Sequence, residues 1–438
     1  MPASLLKTHS HRLFVWGFLL LVAGGYALLA WNWPVLMMWA TFEDLTGEWT
    51  QVFFFAATCL VAGRLAWDAG RYRVFFILLG LACFYVAMEE ISWGQRIFGF
   101  ASPEYFRTQN LQGEINIHNF FTGPFATTLK HGLAYLIAAG LIGYGVVYPW
   151  ALGRGMTPAA WLDRRGLAAP PGYLWPVFIA AAVFEVEPVG LNEAEVAEIL
   201  VGFGLLMTAV HYRFASKRQL PPEVGGAWLG REARRLSLHM AAATVLVIGA
   251  AALTTYLMYQ RPQIRAITAD RFEDGYFKYA HFYAAYGRWD QVLALNLRLK
   301  QRRQHDMDVN RRIAEAYRAL GDEQKFNQYV SLALDLDEHA LRSNPERDDT
   351  MRSLAKSYRL LGDEQRAAAY LNASEYLVNK WLERAPQDAG AWYAMGETLN
   401  LRGEPHKALE YYRRAFEQRP DVDLFKNAYL IQKAQLGE

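Results

Sequence analysis

The chain has 438 residues, of which 53% are hydrophobic, 14% aromatic and 20% charged, with a net charge of +2. The charged fraction lies below the quarter usual in soluble proteins, and the even balance of charge excludes the concentrated basic face that a nucleic-acid binder needs. Residues 1–259 hold 17 Lys and Arg against 16 Asp and Glu, while residues 260–438 hold 28 against 27, which excludes one uniform soluble domain, a disordered chain and a coiled coil.

Seven apolar runs follow one another in the first half, at roughly 13–33, 50–67, 74–91, 125–149, 173–189, 195–214 and 237–259. Each approaches the ~20 residues that cross ~30 Å of hydrocarbon. The first is too long for a secretory signal and has no small-x-small site before Trp31, so it reads as a retained helix. Cys59 and Cys83 fall inside apolar runs, which excludes a disulfide framework and marks them as small buried side chains. The sequence therefore predicts an all-α protein with a seven-span membrane domain over 1–259 and a second domain over 260–438.

Lys and Arg set the direction of the spans. Fourteen of them fall on the side of the N-terminus: Lys7, Arg12, Arg64, Arg71, Arg73, Arg154, Arg164, Arg165, Arg213, Lys217, Arg218, Arg231, Arg234 and Arg235. The other side carries Arg96, Arg107 and Lys130. This places the N-terminus in the cytoplasm of a bacterium. Seven spans then put residues 260–438 outside the inner membrane, in the periplasm.

Twelve of the 16 acids of this half lie on the outer side: Glu43, Asp44, Glu48, Glu89, Glu90, Glu104, Glu114, Glu185, Glu187, Glu193, Glu195 and Glu198. Several sit in or beside apolar runs, where an ionised side chain costs ~2.5–3.5 kcal/mol and persists mainly for function. Glu89 and Glu90 close the third run, ahead of Ser92, Trp93, Gln95 and Arg96. If the helix continues, Glu89, Trp93 and Arg96 share a face and Arg96 pairs with Glu89. From Asn110 to Asn119 the polar residues Asn110, Gln112, Glu114, Asn116 and His118 alternate with Leu111, Gly113, Ile115, Ile117 and Asn119. That period predicts an extended segment with one polar edge. At the sixth run Asn192 reads as an N-cap with Glu195 as its capping-box partner, and Glu193 suits the positive helix end. Glu198 and His131, deeper in their runs, have no such explanation.

Clustered carboxylates and amides with a histidine suit a hard divalent cation. The expected ligands are Glu43, Asp44, Glu48, Glu89, Glu114 and His118, with Ser92, Trp93, Gln95, Arg96, Asn110, Gln112, Asn116, Asn119, His131 and Glu198 touching a substrate or lipid headgroup. These groups are expected to converge, Glu89 within about 15 Å of Glu114 and His118. Carboxylates so close need a metal, Arg96 or protons to persist.

The second half has a repeat. Gly287, Gly321, Gly362 and Gly403 each sit between two short amphipathic helices. The unit from Ala391 to Pro420, with Trp392, Met395, Gly396, Leu399, Gly403, Ala408, Tyr412, Ala415 and Pro420, resembles the tetratricopeptide family, and looser copies surround the other glycines. The resemblance implies a helical solenoid over about 265–420 that binds a protein or peptide, with a capping helix over 422–436. Gly403 is expected to turn the chain where a long side chain has no room.

The run from Glu89 to Gly99, followed by the Asn110–Asn119 pattern and preceded by Glu43-Asp44 and Glu48-Trp49, resembles a bacterial polytopic membrane family of unassigned function. A fainter similarity to the seven-span alkaline ceramidase and adiponectin-receptor superfamily implies a metal-dependent hydrolase, but the His-x-x-x-His of its last span is missing here. Three functions follow in order of preference. The first is a membrane subunit of an envelope assembly, with an acidic cation or lipid-headgroup site and a protein-binding solenoid. The second is a membrane-embedded, metal-dependent hydrolase of a lipid or lipid-linked substrate, with Glu89, Glu90 and His118 as catalytic groups. A transporter or channel is third, because the polar groups crowd one face.

Overall fold

The computed structural model describes residues 10–68, 70–109, 115–117, 126–217, 230–420 and 422–437, and among these no strand occurs. The chain divides into two compact units, Met1–Phe272 and Glu273–Glu438. The division falls beyond the expected boundary at 259/260, because the residues after Tyr259 belong to the first unit. Arg261 donates to the carbonyl of Ile97 at 2.6 Å, and the Phe272 ring packs edge-on to Trp39 and Phe42.

The first unit contains α1 (Ser10–Asn32), α2 (Pro34–Thr41), α3 (Thr46–Asp68), α4 (Arg73–Glu90), α5 (Gln95–Phe98) and α6 (Glu104–Gln109). It continues with α7 (Ala126–Ile142), a π turn over Gly143–Val147, α8 (Tyr148–Gly153), α9 (Thr157–Arg164), α10 (Trp175–Glu185), α11 (Glu193–Lys217) and α12 (Gly230–Tyr259). Its core is aromatic. Phe18 stacks on Phe203 with centroids 3.9 Å apart, and Phe54 meets both rings edge-on. At the π turn the backbone comes so close to α10 that a Cβ on Gly145 would lie 2.1 Å from the Phe178 ring, so only glycine fits. Cys83 is buried and Cys59 half-buried, both as free thiols.

Among the described residues, six helical segments are long and apolar enough to cross a membrane: Ser10–Asn32, Pro34–Asp68, Gly70–Glu90, His131–Gly153, Glu193–Lys217 and Gly230–Tyr259. The fifth expected span differs. Helix α10 has 11 residues, about 17 Å of rise against ~30 Å of hydrocarbon. Pro170-Pro171 prevents an earlier start, since proline lacks the N–H and drives the preceding residue out of the helical region. Residues 167–171 run non-helically, buried from Ala168 to Pro171, and tyrosines satisfy the carbonyls of Leu167, Ala168 and Ala169. Tyr148 donates to Leu167 at 2.7 Å, Tyr144 to Ala168 at 3.1 Å and Tyr212 to Ala169 at 3.1 Å. A buried carbonyl without such a partner would cost ~1–3 kcal/mol. Tyr173 also meets His211 at 3.0 Å, so α10 and its lead-in lie antiparallel along α11.

The second unit begins within α13 (Pro262–Ala285) and continues with the helices α14 (Trp289–Arg302), α15 (Met307–Ala319), α16 (Glu323–Ser343), α17 (Asp348–Leu360), α18 (Glu364–Arg384), α19 (Ala389–Arg402), α20 (Pro405–Gln418) and α21 (Asp423–Leu436). The four glycines between paired helices all have positive φ, from 66° at Gly287 to 86° at Gly403. The expectation of a crowded turn is corrected here: a Cβ on Gly403 would meet nothing within 4 Å. The constraint is the left-handed backbone, which costs an L-residue roughly 1–2 kcal/mol. Inside the last pair, Gly396 is small for contact, because a Cβ there would lie 2.6 Å from the Tyr412 ring.

Two devices recur along this unit. Asp306, Asp322, Asp363 and Asp388 each accept a backbone N–H three residues on, at 2.9–3.1 Å, and so cap α15, α16, α18 and α19. Arginines on the first helix of one pair reach main-chain oxygens on the first helix of the next, always 42 residues on. Arg311 donates to Ser353 at 3.0 Å, Arg318 to Leu360 at 2.8 Å, Arg352 to Ala394 at 3.5 Å, and Arg359 to Leu401. Asp337 is fully buried on α16, accepts from Ser353 Oγ at 2.9 Å and lies 3.7 Å from Arg311. Burial pushes its carboxyl up to about 6, against the opposing pull of Ser353 and Arg311.

Candidate functional site

The outer acids of the first unit sit at helix ends and in the loops between them. Helix α2 stops at Thr41, and Asp44 turns the chain with φ 63° into α3. Glu48, in the first turn of α3, reaches back to the backbone N–H of Asp44. Arg96 closes this corner: one guanidinium nitrogen lies 2.6 Å from Glu48 Oε1 and 3.3 Å from Asp44 Oδ1, and the other lies 3.3 Å from Glu43 Oε2. Arg271 adds contacts of 2.6 Å to Glu43 and 2.7 Å to Asp44. Three acids and two guanidinium groups thus compensate one another where Asp44 and Glu48 are buried. Breaking such a pair strands a buried charge.

The expected continuation of the third helix past Glu90 does not occur. Ser92, Trp93 and Gly94 have φ of 47°, 54° and 87°, and α5 restarts at Gln95. The break brings the Trp93 indole back to donate to Glu89 Oε1 at 2.7 Å, while Glu89 Oε2 accepts the N–H of Ile117 at 2.6 Å. Gln95 accepts from Ile115 N–H at 3.0 Å and donates to Ser102 at 2.7 Å, and Asn116 approaches Ser92 Oγ at 3.4 Å. Residues 115–117 are therefore clasped over the end of α4. Their side chains reverse the expected polar edge: Asn116 is buried and Ile117 half exposed. Backbone–side-chain bonds, rather than a sheet ladder, hold them. Asn110, Gln112, Glu114, His118 and Asn119 lie outside the described residues, and with them the expected approach of Glu89 to Glu114 and His118.

At the start of α11, Glu193 is fully buried and accepts three backbone N–H groups, from Val189, Gly190 and Leu191, at 2.8, 3.1 and 2.7 Å. From the first turn of α11, where it was expected, it also knots the preceding loop. Asn192 has φ 62°, and Glu195 turns to Gln51, whose amide donates to its carbonyl at 2.9 Å and its Oε2 at 2.8 Å. Electrostatically, Glu198 is opposed by Glu90, Glu195, Glu185 and Glu48, while Arg96 offsets the neighbouring acids at Glu90 and Glu195. His131 is exposed on α7.

Among the described residues no three His, Cys, Asp or Glu side chains converge so as to hold a metal ion. Gln51 and Arg271 were missed in the sequence, the first because one glutamine in an apolar run carries no pattern, the second because it falls beyond the last apolar run. The five non-glycine residues with positive φ among those described, Asp44, Ser92, Trp93, Glu187 and Asn192, all lie in these acidic loops. Each such conformation costs of order 1–3 kcal/mol and concentrates where a surrounding structure over-determines it.

In the second unit a cavity of about 270 Å³ is lined by Tyr393, Glu397 and Asn400 of α19 together with Leu424, Asn427, Ile431 and Gln432 of α21. The tetratricopeptide repeat pattern matches residues 389–422. Residues 389–422 are a tetratricopeptide repeat. Among solved structures, the chain is similar to a thermophilic tetratricopeptide protein of Thermus thermophilus, with 21% identity over 45% of this chain and 93% of that one and a TM-score of 0.22. It is also similar to MamA of MSR-1, with 18% identity over 38% of this chain and 87% of that one and a TM-score of 0.17. No curated protein matches the chain in sequence. Tetratricopeptide repeats stack into solenoids whose extended surfaces bind protein partners.

Proposed function

We propose that the protein is an integral membrane subunit of a bacterial envelope assembly. Its first unit carries an acidic site at the outer surface of the inner membrane, and its repeat unit recruits a protein on the periplasmic side. The observation that carries this reading is the joining, in one chain, of six span-length apolar segments among the described residues to a unit that contains a tetratricopeptide repeat. In this reading α10 and its buried lead-in make the seventh crossing. Support comes from the tyrosines that satisfy the carbonyls of Leu167, Ala168 and Ala169, since irregular backbone survives at membrane depth only where it is buried and partnered. The Lys and Arg asymmetry gives the direction.

A C-terminal alkaline phosphatase fusion should be active and a fluorescent-protein fusion dark. The reverse pattern would mean an even number of crossings and a cytoplasmic repeat unit. Partner capture by the full chain should be lost on changing the exposed Asn400 at the α19–α21 cavity to Arg, and should survive Glu89→Gln. For Glu89 this reading takes a structural role, since its two oxygens accept from Trp93 and from the Ile117 backbone and so tie residues 115–117 to the end of α4.

A further inference from the structure

We infer that the corner joining α8 to α9 is a docking surface for anionic phospholipid on the basic side of the first unit, an inference that rests on the membrane reading above. Trp150 lies in the last turn of the apolar segment His131–Gly153 and is 54% exposed. Arg154 follows one turn later and stacks over that indole, with the guanidinium carbon 4.2 Å from the ring centroid. The chain then turns at Gly155, which has φ 68°, and continues as α9. Ala159 and Leu162 pack inward with Tyr148, Ala151 and Ala169, which leaves Trp161 on the opposite face, 50% exposed. There Arg165 lies over the Trp161 ring at 5.3 Å, and Arg164, its neighbour in the chain, is exposed.

Charge selects the occupant. Asp163 is the one acid between Tyr148 and Gly166, and it is already taken, by Arg71 at 3.0 Å and by the Tyr72 hydroxyl, which donates to it at 2.8 Å. A Cβ on Gly166 would lie 2.3 Å from the Arg71 carbonyl oxygen, so the two loops touch backbone to backbone and hold that pairing. Arg154, Arg164 and Arg165 make no ion pair among the described residues. Three guanidinium groups therefore face outward without a counter-charge, interleaved with two exposed indoles. A soluble anion would answer the charge and leave the indoles wet. A phospholipid answers both. Its phosphate accepts from the guanidinium edge, which stays free to donate while the guanidinium lies flat on the indole. Its headgroup level is where tryptophan settles, and Trp150, closing a span-length segment, stands at that depth.

The full chain is reconstituted in nanodiscs of phosphatidylcholine alone or with phosphatidylglycerol, and thermal unfolding and lipid titration are followed. Phosphatidylglycerol should raise the unfolding midpoint. Arg154→Gln, Arg164→Gln and Arg165→Gln should each weaken phosphatidylglycerol binding about five-fold, the weight of one basic residue at an anionic surface. The midpoint in phosphatidylcholine should stay unchanged in all three, because no internal ion pair is lost. Arg213 is engaged by Asp68 at 2.9 Å; if Arg213→Gln weakens phosphatidylglycerol binding as much, the effect is overall charge and the docking surface falls. An equal rise with inorganic phosphate in phosphatidylcholine discs overturns the lipid in favour of a soluble anion. Failure of the chain to insert overturns the membrane reading and this inference together, whereas insertion without a response to phosphatidylglycerol overturns this inference alone.

Discussion

The two units confront the same difficulty, charged groups with little access to water, and solve it differently. In the first unit each solution is unique. Arg96 gathers three acids, Glu193 gathers three backbone N–H groups, and Glu89 is clasped by Trp93 and Ile117, with left-handed backbone at Asp44, Ser92, Trp93 and Asn192 holding the loops in place. In the repeat unit one solution is copied: the aspartate cap, the left-handed glycine, and the arginine that reaches an oxygen 42 residues on. A unique network concentrates risk in one residue, whereas a copied device distributes it, since array stability is roughly a sum of neighbouring terms.

The largest test of that contrast is Arg96→Met. It leaves buried Glu48 without its guanidinium partner and Asp44 with Arg271 alone, and loss of one partner of a buried pair costs about 3–5 kcal/mol. Thermal unfolding in detergent should show the first unit collapsing, with partial recovery in Arg96→Met/Glu48→Gln. No recovery would mean that Arg96 acts through packing rather than charge.

Next is the pH dependence of the repeat unit through Asp337. Its carboxyl sits at about 6 when folded, above the ordinary 3.8. Below about pH 4 it is protonated in both the folded and the unfolded chain. Between pH 4 and 6 the unfolded chain ionises first, so stability falls as pH rises, by up to about 3 kcal/mol. Hydrogen exchange across this window should report the loss in α15 to α18, and Asp337→Asn should flatten it. A slope unchanged in Asp337→Asn would assign the effect to other groups.

Gly403→Arg should cost roughly 1–2 kcal/mol, the price of a left-handed L-residue, with loosening confined to α19, α20 and α21. Gly403→Asn should cost less, because asparagine tolerates that region. Equal losses would implicate crowding after all. The smallest effect is Asp363→Ala, which removes one copied cap for about 1 kcal/mol and should raise exchange in the first turn of α18 alone.

The last repeat was legible residue by residue, because its small residues and its glycine turn are local requirements that any solenoid of this kind imposes. The apolar helices were legible for the same reason; the fifth run, expected over 173–189 after Pro170-Pro171, gives a helix that stops at Glu185, ahead of the left-handed Glu187. Helical spacing put Trp93 and Arg96 on the face of Glu89 and named Arg96 as its partner, whereas the Trp93 indole reaches Glu89 because the helix breaks, which spacing alone cannot express.

What the sequence determined by itself is therefore what depends on neighbours along the chain: helix, turn, cap, repeat period, and the sorting of acids from bases along the first half. The tertiary structure decided which charges share a guanidinium, that Arg271 belongs with Glu43 and Asp44, and that Gln51 stands beside Glu195. Those pairings join residues up to 228 positions apart in number, as Arg271 and Glu43 are, and no local propensity encodes them. They are fixed by helix packing, because burial makes an unmatched charge costlier than almost any local preference.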